Sequence, residues 1–209
     1  MVPTEPVPKR AVAFVDGQNL FHAVKDAFGY TYPNYDPRRL AEVICAAHDW
    51  QLQQVRFYTG VPDPGDNAFW SHFWGAKLAQ MGRQGIWTFS RPLRYQNKLV
   101  VLADGTQHSV LVGQEKGVDV RMALDIVRLI LDGGLDVALV FSQDQDLSEV
   151  ADEVRLIAKR TGCWIKIVSA FPVSPTFRNR RGVNKTDWIP VDRGTYDACI
   201  DPRDYRPKA

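Results

Sequence analysis

The stretch that most limits what this chain can fold into is Val137–Phe141, VALVF, which runs straight into Ser142, Gln143, Asp144, Gln145 and Asp146. A short apolar run that ends abruptly in polar residues reads as a strand buried on both faces, as in parallel sheets. Leu147, Val150, Val154, Ile157 and Ala158 then share one helical face. Two carboxylates therefore sit where a central strand hands over to a helix. In open α/β sheets that edge is where ligands bind. The chemical question is whether these acids cap a helix or hold a metal.

The rest of the chain supplies a sheet around that strand. Residues 11–15, AVAFV, form a first buried strand that stops at Asp16, and Gly17 turns into a helix reaching about Phe28. Asp36 is an N-cap with Pro37 at the first helical position, opening a second helix to about His48. Residues 55–61 form the second strand, and a helix from Asp66 to about Arg83 carries Phe69, Trp70, Phe73 and Trp74, which are expected in the core. Residues 86–89 form a third strand. Two apolar runs around Asp104-Gly105 read as a hairpin, which interrupts the βαβ rhythm as an insertion at about 93–113. An amphipathic helix over 118–131 ends at Gly133-Gly134, and residues 164–171 form the fifth strand. Strands alternating with helices predict an α/β domain with a mainly parallel sheet. Residues 1–10, with three prolines, read as a flexible arm, residues 11–171 as the domain, and 172–209 as an extension without a strong period.

Composition narrows the function by exclusion. A net charge of +2 is too small to imply a polyanion partner, so any nucleic-acid argument rests on local charge. Cys45, Cys163 and Cys199 have neither zinc-ligand nor disulfide spacing, which makes a reducing cytosol, hence a cytoplasmic location, the default. No stretch has the length and apolarity of a membrane span. His22, His48, His72 and His108 share no spacing that suggests a metal site. There is no phosphate-binding G-x-x-x-x-G-K-[ST], and the turn after the first strand has one glycine rather than G-x-G-x-x-G.

Four acids occupy equivalent places. Asp16 ends the first strand, Asp119 opens the helix before the central strand, and Asp144 and Asp146 follow that strand. Two bare charges 4 Å apart repel by roughly 4 kcal/mol at an effective dielectric of about 20. A gathered set needs a counter-charge, and Mg²⁺ or Mn²⁺ suits oxygen ligands and can activate water at a phosphodiester. Each acid also has a plainer role. Asp146 and Glu149 make a D-x-x-E capping pattern, and Asp16-Gly17 suits a turn. Around the acids, Asn19 either faces the same pocket as Asp16 or is a plain helix N-terminal residue, Lys116 meets a carboxylate or a phosphate or is a surface lysine, and Ser142 donates to a carboxylate or simply ends the strand. Asp125 is a lone acid among Met122, Leu124 and Ile126, suited either to a supporting role or to a solvent-facing helix side. Arg178, Arg180, Arg181 and Lys185, with Arg91, Arg94 and Lys98 around Tyr95, could grip an RNA backbone or form a solvated surface.

Three segments, FVDGQNL at 14–20, KGVDVRMALD at 116–125 and VFSQDQDLSEV at 140–150, resemble the NYN domain family, a branch of the PIN-like nucleases. The resemblance covers roughly residues 11–171. It implies a three-layer sandwich with a five-stranded, mainly parallel sheet in the order 3-2-1-4-5, and Mg²⁺- or Mn²⁺-dependent cleavage of RNA. Carried over, Asp16, Asp119, Asp144 and Asp146 would form the acidic pocket, with Asn19 and Lys116 in support and Asp125 matching a frequent acid of the same helix. Gln143 stands where the family usually has glycine, and Leu147 where it usually has phenylalanine. Gln143 would either crowd the pocket or add a contact. The reading is a metal-dependent ribonuclease with RNA as partner and a homodimer as one option for assembly. The alternatives are an RNA-binding module of the same fold with weak catalysis, supported by Gln143, and a small-molecule enzyme using the same crevice.

Overall fold

A computed structural model describes residues 3–102 and 105–208. Eight strands and six helices occur among these residues: β1 (Lys9–Asp16), α1 (Gly17–Phe28), α2 (Pro37–Ala47), β2 (Trp50–Val61), α3 (Ala68–Arg83), β3 (Trp87–Pro92), β4 (Arg94–Val101), β5 (Gln107–Gln114), α4 (Val118–Leu131), β6 (Val137–Phe141), α5 (Ser148–Thr161), β7 (Lys166–Pro172), β8 (Asp187–Val191) and α6 (Arg193–Asp197). The main sheet has the order β3-β2-β1-β6-β7-β8 and is parallel throughout. Its first five strands reproduce the expected 3-2-1-4-5, and β4 and β5 pair antiparallel as the expected separate hairpin. Asp104, half of the turn expected there, lies outside the described residues.

The period-2 pattern of β1 explains the layering. Ala11, Ala13 and Val15 pack on one face with α1, α2 and α3, while Val12 and Phe14 pack on the other with α4 and α5. The chain leaves β1 toward β2 in one direction and returns to β6 on its other side. The gap between β1 and β6 is thus the switch point, where crossovers diverge to opposite faces and leave a crevice. All five residues of β6 are buried, as a strand in the middle of a parallel sheet requires.

Three local expectations shift. The third helix starts at Ala68 rather than Asp66, because Asn67 supplies the capping oxygen to the Trp70 amide at 3.1 Å. Phe73 and Trp74 are core, but Phe69 is 41% exposed, so only part of that aromatic set is buried. The segment after residue 172 holds an edge strand and a helix. β8 pairs with β7, and Tyr196, Cys199 and Tyr205 enter the core beside α2 and α3. The Tyr196 hydroxyl donates to Asn34 Oδ1 at 2.6 Å, and the Asp36 and Asp201 amides donate to Cys199 O and Asn34 O at 2.8 Å each. No described helix is long and apolar enough to cross a membrane.

Candidate active site

The carboxyl ends of β1 and β6 build the floor of the site. Val15 pairs with Phe141, so Asp16 and Ser142 emerge side by side. Asp16 is buried. Its carboxylate accepts from the Asn19 amide at 3.0 Å and from Ser142 Oγ at 3.2 Å. The same Ser142 oxygen accepts from the Asp144 amide at 3.1 Å. Asn19 Oδ1 accepts from the Gln143 amide at 2.8 Å and ties the two loops together. Gly17 is required here, since a Cβ would stand 2.6 Å from the Phe57 ring.

The wall opposite comes from the exit of the hairpin and the start of α4. Gly117, at φ +76, forms the N-terminal boundary of α4 without a side-chain cap, and Asp119 lies in its first turn. Glu115 is aimed inward, where its carboxylate accepts from the Gly60 amide at the end of β2. The result is a cleft of about 370 Å³ lined by Asp16, Asn19, Glu115, Lys116, Asp119 and Asp144, with Gln18 and His22 on its α1 side.

Charge in this cleft is poorly compensated. Burial pushes the Asp16 carboxyl up to about 6, and the charges of Asp144 and Asp119 push the same way. Burial, then the charge of Asp16, pushes Glu115 up to about 7. The donor set is all oxygen and carries excess negative charge, which is the chemistry a hard divalent cation answers. Among the described residues, no three His, Cys, Asp or Glu side chains are gathered as a ready-made ion cage. The cleft therefore fits Mg²⁺ or Mn²⁺ by ligand type and charge, without a preformed trio.

The predicted residues divide. Asp16, Asp119, Asp144, Asn19 and Lys116 line the cleft, and Ser142 holds Asp16 from beneath. Asp146 does not line it. Residues Gln145–Leu147 form a single 3₁₀ turn capped by Asp144, whose Oδ1 accepts the Asp146 amide at 3.0 Å, and this turn leaves Asp146 exposed. The D-x-x-E cap is likewise absent, since α5 has no side-chain cap hydrogen bond. Asp125 is 3% exposed, outside the cleft. It accepts from the Tyr58 hydroxyl at 3.0 Å and pairs with Arg121 at 3.1 Å and Arg56 at 3.5 Å, so its charge is neutralised within the fold.

The basic residues also divide. Arg91 lies against the cleft wall, its guanidinium 2.9 Å from where a Gly117 Cβ would stand. Arg94 and Lys98 are exposed on β4. Arg178, Arg180 and Arg181 are exposed in the loop after β7, where Arg180 donates to Pro175 O at 2.8 Å. Lys185 is exposed too, engaged by Asp152 and 3.9 Å from Glu149, in surface pairs of the kind that contribute little.

Gln143 does not line the cleft. Its side-chain amide donates to Arg181 O at 2.7 Å, and Gln145 likewise holds Gly182 O and the Asn184 amide. The two glutamines fasten the 181–184 loop to the turn after β6. Glu115, Gln18 and His22 are the site residues that sequence reasoning missed. An acid one residue before K-x-V-D was available as a sign for Glu115. His22, four residues after Gln18, shares its helical face.

The NYN domain family matches residues 10–180. No curated protein matches the sequence significantly. Among solved structures, the chain is similar to a protein of unknown function, VPA0982 from Vibrio parahaemolyticus RIMD 2210633, at 16% identity and a TM-score of 0.51, covering 91% of this chain and 97% of that one. It is also similar to a ribokinase from Giardia lamblia at 12% identity and a TM-score of 0.41, covering 87% of this chain and 57% of that one. The first likeness concerns the fold alone.

Proposed function

The chain belongs to the NYN domain family, a nuclease-type fold, and from that premise we propose that it is a Mg²⁺- or Mn²⁺-dependent ribonuclease working at the cleft between β1 and β6. One observation carries the reading. Asp16, Asp119 and Asp144, far apart in sequence, line one hollow at the switch point together with Glu115. Asp16, Asp119 and Asp144 would hold the ion, with Glu115 as a fourth carboxylate. A divalent ion there supplies Lewis acidity toward a phosphodiester and makes water a better nucleophile.

The chain's own groups do the positioning. Ser142 and the Asn19 amide fix the Asp16 carboxylate, and Asn19 keeps the two strand-end loops in register. Lys116 is exposed at the mouth, where its ammonium suits a phosphate oxygen. The start of α4, which has no side-chain cap, adds a favourable dipole on the same side. Arg91, Arg94, Lys98, Arg178 and Arg181 are the candidates for following an RNA backbone, with an affinity that falls as salt rises. The case for a weakly catalytic module loses its main support, because the Gln143 side chain is spent on the 181–184 loop. The unpaired cysteines fit a cytoplasmic setting.

Asp144→Asn tests the reading. Asparagine keeps the cap on the Asp146 amide, so the fold should survive with an unchanged melting temperature. Mn²⁺-stimulated cleavage of single-stranded RNA should fall by at least about a hundredfold, since even changes to outer-shell partners cost about 10–100-fold. Unaltered cleavage by the purified variant would remove this cleft from the chemistry.

A further inference from the structure

A second hollow, of about 500 Å³, adjoins the acidic cleft and shares Gln18 and His22 with it. Its walls are Phe21 on α1, Trp70 on α3, Leu93 between β3 and β4, and Tyr95 and Leu111 on the hairpin. The Phe21 and Trp70 rings lie 5.9 Å apart at 53°. Phe21, Trp70 and Tyr95 are each only partly buried; Trp70 also packs against core Phe73, and each ring keeps part of its surface open. Tyr95 pairs with Gly113 across the hairpin, where a Cβ would stand 3.0 Å from its ring. The glycine lets the tyrosine lie down over β5, at the edge of the hollow.

These features match one ligand chemistry. The volume falls in the small-ligand range of roughly 300–1,000 Å³. Aromatic faces accept any nucleobase by stacking, and they are useful only for bases not already stacked in a duplex. Gln18 and Asn67 line the same hollow; with Gln18 Nε2 donating to Gly60 O and Asn67 Oδ1 capping α3, Gln18 Oε1 and Asn67 Nδ2 are left as acceptor and donor for a base edge, while Lys25 lines it as a cation suited to a phosphate. Because Gln18 and His22 border both hollows, a strand with a phosphate over the carboxylates brings a neighbouring base here.

We propose that this hollow between the hairpin, α1 and α3 takes one unpaired nucleobase beside the scissile phosphate, which makes single-stranded RNA the substrate class. The inference rests on the ribonuclease reading for the meaning of "scissile", while base binding itself can be measured without cleavage.

The test is abasic scanning. A short fluorescent single-stranded RNA is titrated with the full chain in EDTA, and each base is removed in turn. One position should matter most, with affinity about tenfold lower when its base is absent. Tyr95→Ala should lower affinity for intact RNA about tenfold and leave the RNA abasic at that position unchanged, whereas Tyr95→Phe keeps the stacking face and the affinity. As a check independent of folding in a variant, 5-iodouracil at that position should photo-crosslink wild-type protein at Tyr95, Phe21 or Trp70. RNA that is cleaved but shows equal abasic effects everywhere, with crosslinks elsewhere, overturns the base site and leaves the ribonuclease reading standing. Base-selective binding without cleavage at any divalent ion keeps the base site and removes the ribonuclease reading. Neither binding nor cleavage removes both.

Discussion

Lys77 carries a charge into the interior, and its environment is explicit enough to give a stability prediction with a sign. The side chain is fully buried in α3, donates to Tyr35 O at 2.8 Å, lies 3.8 Å from Asp201, and stands over the Tyr205 ring at 4.9 Å. Burial outweighs the pull of Asp201 and Asp36 and brings the ammonium down from 10.5 to about 8. With the folded value depressed, the unfolded chain binds more protons between pH 8 and 10.5, so stability rises with pH across that window. The cost, present in full below pH 8, is on the order of 3 kcal/mol, and roughly 1 kcal/mol of it is relieved between pH 7 and pH 9. Cys45, pushed up by burial to about 11, titrates in the opposite sense above pH 9, so the wild-type curve alone mixes the two effects. The difference between wild type and Lys77→Met cancels that background. Urea unfolding at pH 7, 8 and 9 should show wild type gaining roughly 1 kcal/mol on the variant across the series. A difference that stays flat with pH would mean that Lys77 titrates normally, and hence that the chain end holding Asp201 and Tyr205 does not close over it.

Other substitutions separate the cleft from its surroundings. Glu115→Gln preserves an acceptor for the Gly60 amide but removes a charge, so calorimetric Mn²⁺ affinity should fall about tenfold; equal affinity would exclude Glu115 from the ion's surroundings. Asp125→Asn strands Arg56 and Arg121, so stability should fall by about 3 kcal/mol with Mn²⁺ affinity unchanged; weakened Mn²⁺ binding in a folded variant would return Asp125 to the site. Gln143→Gly restores the residue usual in the family. It should leave cleavage within about twofold, cost about 1 kcal/mol for a lost hydrogen bond, and speed amide exchange over 181–184; a large gain in cleavage would show that the glutamine does obstruct the cleft.

What the sequence discloses depends on whether the information is local. The buried run of β6, the Asp36-Pro37 start of α2 and the Gly133-Gly134 end of α4 are each written in a few adjacent residues, and the structure has them there. The convergence of Asp16, Asp119 and Asp144 was legible because the order of a parallel sheet and the handedness of its crossovers bring strand ends to one edge. For Glu115 the sequence offered only its place before K-x-V-D, since its role depends on where the hairpin exit falls beside Gly60, a contact between residues 55 positions apart. The strand at β8 was hidden for a related reason. An edge strand needs no buried pattern, and it tolerates Pro190, which argues against a strand when read alone. Asp146 and Asp125 show the complementary limit. Motif position lines both up with the cleft acids, but one 3₁₀ turn puts the first in solvent, and two arginines and a tyrosine claim the second. A carboxylate whose charge is already answered inside the protein has little free energy to gain from an ion. In this chain, burial without a counter-charge therefore separates candidate ligands from look-alikes better than motif position does, and by that criterion Asp16 and Glu115 are the acids with most to gain.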